Sequence, residues 1–540
     1  MSSFVMMNSF AQKTSFTRQD SLRGNTKGER LLWDVKKYDL EIEPDIVNHT
    51  ISGTQKITFD CKSKKVKSIQ IDLMDPMVID YVFCEGRSLP FSKEGNVYWI
   101  KLNHKKKSKN NVISIGFHGK PREAVNPPWD GGWIWSKDEN GKPFVSVACQ
   151  GLGASSWFPC KDTQSDEPDN GSSLTILVPD SLQAIGNGKL TRQLHKFSSG
   201  VSSYKWEVSS PINNYNIVPY IGDYRTISDT FQGLNGTLKL NYFVLLGNES
   251  KEMEHFKDVK KMLVAFEYWF GPYPFYEDEF KLVEAPHLGM EHQSAIAYGN
   301  QYKKGYLGTD LSGTGHGLGW DFIIIHESGH EWFGNNITSK DIADMWIHES
   351  FTNYSEALFI EYWYGKKAAG EYVAGLRNKI ANDIPIIGPY GVNQEGSGDM
   401  YNKGGNMIHT IRQIIDNDNL FREILVGLNL TFKHKTVTTK EIEEYITIKS
   451  GKNLQSVFDQ YLRDTGVPIF SYKIENDSTI SYQWINIIEG FEMPLKIKIN
   501  GEDEIWLTPK ETEQKFVYQK GKVKTIIPDP GFYVLTLTSR

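Results

Sequence analysis

The chain has 540 residues, of which 39% are hydrophobic and 23% are charged, so it is long enough for several hydrophobic cores and too apolar for a disordered protein. Its formal net charge of -6 is small for this length, which argues against the strongly basic surface of a nucleic-acid-binding protein. The sequence contains no run of about 18 apolar residues, so we expect no insertion into a membrane.

The N-terminal stretch SFVMMNSFAQ has some features of a secretory signal. Ser9 and Ala11 are small residues with the spacing of a signal cleavage site, but the stretch has no basic start and only a short apolar segment. We predict that residues 1–28 are a disordered tail or the remnant of a signal. Export to the periplasm or the outside of the cell is favoured over a cytoplasmic location.

The rest of the chain divides into three parts by the period of its apolar residues. Alternation such as YDLEIEPD and VYWIKL predicts a β domain over 29–226. Helical periodicity begins after residue 250 with SKEMEHFKDVKKMLVAFEYWFG and dominates to about residue 465, so residues 227–466 are assigned to a mainly helical domain. Strand patterns such as IFSYKIEN and TISYQWINII return over 467–540. The predicted fold is therefore multidomain α+β, with an N-terminal β-sheet domain, a mainly helical domain and a small C-terminal β-sandwich.

The segment WDFIIIHESGHEWFG holds a metal-binding pattern on a predicted helix. His326 and His330 are four residues apart, so both rings can face one ion, while Glu327 lies beside that ion without binding it. The apolar run before His326 predicts a buried helix, in which an unpaired His/Glu pair would be costly. A chance match on an ordinary amphipathic helix is therefore the weaker interpretation.

A catalytic zinc site needs a third protein ligand, and a second periodic helix supplies a candidate. Glu349 follows His330 after 18 intervening residues and opens the segment WIHESFTNYSEALFIEYWYG. We predict that His326, His330 and Glu349 bind one zinc ion per chain. Glu356, two turns further on, is either an acceptor for an imidazole N–H or a solvated or helix-pairing carboxylate.

The stretch HESGHEWFGNNIT...WIHESFTNYSE resembles the zinc signature of the gluzincin aminopeptidases, the family of aminopeptidase N and the leukotriene hydrolase. Three more segments resemble motifs of this family in the family's order: QGLGASSWFPCKD at 150–162, HLGMEHQSAIAYGN at 287–300 and MYNKGG at 400–405. The resemblance implies a thermolysin-like catalytic domain and a zinc metallo-aminopeptidase, in a form without the family's C-terminal helical domain.

The resemblance also implies the catalytic roles. Glu327 would take a proton from the water activated by zinc and deliver it to the departing amine. The hydroxyl of Tyr401 would stabilise the oxyanion, although a tyrosine at a helix start is more often a packing residue when it is read alone.

Substrate binding is implied by the segments at 150 and 287. Glu291 would bind the free α-ammonium of a peptide, with Gln150 as an amide acceptor from the N-terminal domain. The backbone of Gly289 and Met290 would line the bound peptide. His292 stands where the family has Asn and would donate to a substrate carbonyl or adjust the charge around Glu291.

Other functions remain open at this stage. An epoxide hydrolase of the leukotriene type would need an Asp and a Tyr at positions held here by Asn393 and Gly396. A thermolysin-type endopeptidase shares the zinc ligands but needs no amine anchor. A non-catalytic binding protein would have lost a ligand, the base or the tyrosine, and none is lost. No strong acidic or basic selector is apparent, so a broad neutral preference is the default expectation.

Overall fold

The computed structural model describes residues 15–24, 27–63, 66–102, 109–196, 200–248 and 255–538. Residues 1–14, which hold most of the predicted tail or signal remnant, lie outside the described residues. Within the remainder of that range, helix α1 (Arg18–Gly24) packs on the rest of the protein. Arg23 donates to the carbonyl oxygen of Gly151 at 3.1 Å.

The N-terminal part is an assembly of β-sheets, referred to below as the N-terminal β domain. Its strands are β1 Trp33–Asp45, β2 Thr50–Cys61, β3 Ser68–Asp72, β4 Val78–Cys84, β5 Arg87–Ser88, β6 Phe91–Glu94, β7 Val97–Lys101, β8 Asn111–Gly119, β9 Gly132–Lys137, β10 Pro143–Ala148, β11 Ser172–Pro179, β12 Gln183–Ile185, β13 Lys189–Lys196, β14 Val201–Val208 and β15 Tyr220–Gly222. Within the described ranges they form an eight-stranded sheet of order β13-β14-β11-β1-β2-β8-β4-β5, a four-stranded sheet and a three-stranded sheet. Alternating apolar residues along β1 and β2 place one face of the large sheet in the core.

The central part combines a sheet with helices. Its strands are β16 Tyr224–Gly233, β17 Gly236–Leu245, β18 Phe280–Glu284, β19 Gly289–Met290, β20 Ile296–Tyr298, β21 Ile337–Ser339 and β22 Lys435–Val437. Its helices are α2 Lys257–Phe270, α3 Phe322–Gly329, α4 Trp346–Tyr364, α5 Lys366–Leu376, α6 Asn402–Ile415, α7 Asp418–Thr431, α8 Thr439–Ser450 and α9 Gln455–Arg463. In the part of the chain that the structure describes, β16 to β20 form a sheet of order β16-β17-β18-β20-β19, so β19 is at its edge.

The central sheet separates two hydrophobic cores. In β18, Leu282 packs into the core shared with the helices, whereas Val283 packs into the core of the N-terminal β domain. In β20, Ile296 and Ala297 divide in the same way. A strand buried on both faces reads as a continuous apolar run, as the Ile-Ala-Tyr sequence of β20 does. The edge strand β19 therefore lies where the N-terminal β domain meets the helices.

The C-terminal part returns to strands: β23 Ile469–Ile474, β24 Thr479–Ile485, β25 Leu495–Ile499, β26 Asp503–Leu507, β27 Gln514–Val517, β28 Ile526–Pro528 and β29 Leu535–Thr538. They form two sheets, of order β27-β24-β23-β29 and β26-β25-β28, within the described residues. The predicted fold class of β-sheet domain, helical domain and C-terminal strands is confirmed. Among the described helices, none combines the length and apolar character that crossing a bilayer requires.

Candidate active site

Helix α3 carries His326, and His330 directly follows its last residue; the sequence explains where this helix starts and ends. Asp321 caps its N-terminus by accepting from the backbone N–H of Ile324 at 3.1 Å. The apolar residues that follow are buried against the helical core. The chain then leaves the helical path at Phe333 and Gly334, where a φ of 130° at Gly334 is a conformation that favours glycine.

The three predicted metal ligands come together with their free atoms facing one point. Oε2 of Glu349 lies 3.4 Å from Nε2 of His330 and 3.8 Å from Nε2 of His326. Two atoms that bind one tetrahedral zinc at about 2.1 Å are roughly 3.4 Å apart, so these separations fit a shared ion. Oε2 of Glu349 is buried and makes no hydrogen bond to a described residue. A bound zinc would satisfy this otherwise orphaned oxygen.

Both imidazoles are oriented through their other nitrogen. Nδ1 of His326 is 2.7 Å from Oε1 of Glu356, and Nδ1 of His330 is 3.1 Å from the carbonyl oxygen of Phe333. These acceptors favour a proton on Nδ1 and leave the Nε2 lone pair for a metal. The Glu356 carboxylate is fully buried and also accepts from the hydroxyl of Tyr372 at 2.6 Å, which argues against the solvated alternative. Tyr372 could not be predicted from the sequence, because no motif or periodic spacing links it to Glu356.

The predicted base Glu327 lies on helix α3, and its side chain faces the edge strand β19. A Cβ atom at Gly289 would stand 2.7 Å from Oε1 of Glu327, so the strand can approach the base closely only because residue 289 is glycine. Glu327 makes no hydrogen bond to a described residue, and burial raises its pKa to about 7. A nearby cation would lower this pKa, which suits a carboxylate that must be ionised to accept a proton.

Glu291 is buried beside the metal ligands and is held by the N-terminal β domain. Its Oε1 accepts from Nε2 of Gln150 at 2.6 Å and from the hydroxyl of Tyr215 at 2.8 Å. The same amide nitrogen of Gln150 is 3.4 Å from Oε1 of Glu349. Burial raises the pKa of Glu291. The site therefore places a carboxylate next to the metal ligands, and Tyr215 is a partner that sequence reasoning missed.

His292 contacts the N-terminal β domain through one ring nitrogen, and its other ring nitrogen, Nε2, is buried without a hydrogen-bond partner among the described residues. Its ring is fully buried, and Nδ1 is 2.6 Å from the hydroxyl of Tyr220. That hydroxyl donates to the carbonyl oxygen of Ala295 at 2.7 Å, so it accepts from Nδ1 of His292. We infer that His292 positions the segment after β19 against the N-terminal β domain rather than contacting a substrate.

Tyr401 stands at the start of helix α6, close to the first ligand. Its ring stacks on the ring of His326, with centroids 6.1 Å apart and planes at 24°. Burial and the surrounding carboxylates, of which Glu349 has the largest effect, raise the pKa of Tyr401 well above its usual value. The hydroxyl therefore stays protonated at neutral pH, and it makes no hydrogen bond to a described residue. It is available as a donor near the metal ligands.

Comparisons with known proteins agree with the arrangement of metal ligands, base and tyrosine described above. Residues 35–215 match the peptidase M1 N-terminal domain, and residues 254–461 match the peptidase family M1 domain. The chain is 21% identical over 528 residues to probable aminopeptidase 1 of Sulfurisphaera tokodaii, covering 93% of this chain and 63% of that protein. It is 23% identical over 443 residues to leukotriene A-4 hydrolase of Xenopus laevis, covering 77% of this chain and 68% of that protein. The chain thus spans about two thirds or less of the length of these curated relatives.

Solved structures share the fold. The M1 zinc metallopeptidase of Deinococcus radiodurans matches with a TM-score of 0.66 and 19% identity, covering 81% of this chain and 94% of that chain. A mutant two-domain M1 zinc metallopeptidase bound to L-tryptophan matches with a TM-score of 0.69 and 19% identity, covering 81% and 95%. Both domains and the zinc-binding geometry agree with one assignment: the chain belongs to peptidase family M1, the gluzincin zinc metallopeptidases.

Proposed function

We propose that this protein is a zinc-dependent aminopeptidase that hydrolyses the first residue from peptides with a free N-terminus. The observation that supports this most directly is the position of Glu291. A buried carboxylate linked through the Gln150 amide to the metal ligand Glu349 is suited to an α-ammonium. An endopeptidase has no use for such an anchor, because its substrate continues through this position.

The chemistry divides between the ion and the side chains around it. When bound by His326, His330 and Glu349, zinc lowers the pKa of water and polarises the scissile carbonyl. Glu327 accepts the proton of the attacking water and delivers it to the departing amine. The Tyr401 hydroxyl donates a hydrogen bond to the oxygen on which charge develops.

Substrate positioning falls to the edge strand and the anchor. β19 is unpaired on its outer side within the described residues, so its backbone at Gly289 and Met290 can pair with an extended peptide. Glu291 fixes the N-terminus, and the distance from anchor to metal then determines which peptide bond reaches the base. Only the first bond of the substrate meets this requirement.

The alternative of epoxide hydrolysis has less support. Asn393 and Gly396 occupy the positions where the leukotriene branch has an Asp and a Tyr, and the Asn393 amide donates to the carbonyl oxygen of Gly151 at 2.8 Å. Neither position 393 nor position 396 therefore supplies the carboxylate or the phenol that the leukotriene branch has there. A purely binding function would leave the complete set of base, ligands and tyrosine unexplained.

Blocking the substrate amine tests the proposal. We expect Ala- and Leu-based substrates with a free amine to be cleaved at least about 100-fold faster, by kcat/KM, than the N-acetylated forms, because acetylation removes the charge that Glu291 binds. Glu291→Gln should lower kcat/KM for free-amine substrates by a similar factor and leave the slow acetylated reaction unchanged. Glu423→Gln, an exposed glutamate on α7, is the matched control. Equal cleavage of free and acetylated substrates by the unaltered protein would contradict an aminopeptidase.

Removing one hydroxyl tests the role of Tyr401. We expect Tyr401→Phe to lower kcat by about 100- to 1000-fold with little change in KM, because the donor acts on charge that develops only in the transition state. Zinc content should be unchanged, since the phenol is not a ligand. Steady-state kinetics and metal analysis measure both quantities. Tyr362→Phe, at a partly exposed tyrosine on α4, should behave like the unaltered protein, and a kcat within a few fold of normal for Tyr401→Phe would exclude the oxyanion role.

A further inference from the structure

One acidic side chain at the edge of the site has no role in the mechanism above. Glu395 lies in the segment that leads to Tyr401 and is half-buried. Its Oε1 is 3.2 Å from the place where a Cβ atom at Gly151 would be. Gly151 directly follows Gln150, whose amide holds the anchor Glu291. Glu395 is therefore next to the residues that receive the start of the substrate.

The carboxylate of Glu395 has no partner in the described parts of the chain. It makes no hydrogen bond and no ion pair there, whereas Glu291 accepts two hydrogen bonds. Burial, followed by the charges of Glu349 and Glu291, raises the pKa of Glu395 to about 7. The charges of Glu349 and Glu291 oppose a negative charge on Glu395, and a cationic group beside it would relieve this repulsion.

The groups around Glu395 are committed to other contacts. Arg23 and Asn393 both donate to the carbonyl oxygen of Gly151, at 3.1 and 2.8 Å. These bonds fix the turn at Gly151 from the backbone side and leave the Glu395 carboxylate without a countercharge among the described residues. Gly151 has a φ of 70° and no side chain, and a Cβ atom there would stand only 3.2 Å from Oε1 of Glu395, so glycine at this position keeps the carboxylate uncovered. A cationic group from a ligand could occupy that space.

We propose that Glu395 selects substrates whose first residue is lysine or arginine. This inference rests on the proposed aminopeptidase function. With the α-ammonium at Glu291 and the scissile carbonyl at the metal ligands, the first side chain departs from the carbon atom between them. On the side of the N-terminal β domain it extends towards Gly151 and Glu395. Lysine and arginine have stems long enough to bring a positive charge to Glu395, and aliphatic side chains offer it nothing.

Substrate panels with and without the Glu395 charge test this assignment. The unaltered protein should have a kcat/KM at least about tenfold higher for Lys- and Arg-based substrates than for Ala- and Leu-based ones. Glu395→Gln should lower the values for the two basic substrates by about tenfold or more and change those for the neutral substrates by less than about threefold. Glu395→Lys should disfavour basic substrates further, and Glu423→Gln should leave the whole panel unchanged.

A binding measurement separates this inference from the function on which it rests. Calorimetry of the zinc-loaded protein should show tighter binding of L-arginine than of L-leucine, and Glu395→Gln should abolish the difference even where no turnover is detected. Equal loss for all substrates in Glu395→Gln, or a preference that follows the second residue of the substrate, would overturn the role of Glu395. If the proposed aminopeptidase function itself is wrong, the result is different, because substrates with a free amine and N-acetylated substrates are then cleaved equally.

Discussion

Replacing Glu327 by Gln is expected to lower kcat by about 1000-fold or more while the protein still binds one zinc ion. Glu327 makes no hydrogen bond to a described residue and lies outside the proposed ligand set of His326, His330 and Glu349, so the amide should fit its place without disturbing the ion. Because Glu327 also lies within reach of an ion shared with Glu291 and His330, the zinc content of the variant has to be measured as well. The change removes a proton acceptor, and general acid-base catalysis by such a group typically contributes about 10²- to 10⁴-fold to the rate. The amide can neither take the proton of the attacking water nor return it to the amine. Metal analysis and single-turnover kinetics on the same preparation measure the two effects.

The matched control for Glu327→Gln is a conservative change at the next residue of the same helix. Ser328→Ala alters a fully buried neighbour whose hydroxyl has no hydrogen-bond partner among the described residues, so it should leave turnover within a few fold of normal. A Glu327→Gln protein that retains zinc and normal turnover would refute the assignment of the base. Loss of zinc together with turnover would instead place Glu327 among the ligands.

The metal ligands could be predicted from sequence because regular helices convert spacing into direction. Residues four apart face the same side, and a second periodic helix has an acidic residue in its first turn after a short connection, so three side chains were expected at one point. The structure brings Glu349 to within 4 Å of both Nε2 atoms. The order of the β, helical and β parts could be predicted for a similar reason. Apolar residues recur every 2 residues in strands and every 3.6 residues in helices, and the two patterns differ clearly over long segments.

Contacts between distant segments could not be predicted in this way. Tyr215 reaches Glu291 from the N-terminal β domain, and Tyr372 reaches Glu356 from the helix after α4, and no local pattern links either pair. His292 stands at the family's Asn position and was expected to donate to a substrate carbonyl or to adjust the charge around Glu291. Its contact with Tyr220 of the N-terminal β domain was not predicted, because no local pattern links the two residues. The position of Glu395 depends on a loop without periodicity, so its proximity to Gly151 could not be predicted from the sequence.

Removing the Glu349 carboxylate is expected to cost zinc binding and activity together. Glu349→Ala leaves His326 and His330 as the remaining protein ligands, which is fewer than a catalytic zinc site requires. We expect the zinc affinity to fall by several orders of magnitude and turnover to become undetectable at equimolar metal. Zinc titration against a competing chelator measures the first effect. Zinc should also raise the melting temperature of the unaltered protein, because the folded state binds the ion and the unfolded chain does not hold the three ligands together, and this increase should disappear in Glu349→Ala.

Comparing Glu356→Gln with Glu349→Ala distinguishes a residue that orients a metal ligand from a metal ligand itself. Glu356 contacts His326 only through Nδ1, so the amide can still accept that proton while losing its charge. Weakening such a partner lowers metal affinity by about 10- to 100-fold, which excess zinc can overcome. Activity of Glu356→Gln should therefore return as zinc is added, whereas Glu349→Ala should stay inactive over the same range. Recovery of both variants to the same level would mean that the ion is held mainly by the two histidines, and the three-ligand centre would then be wrong.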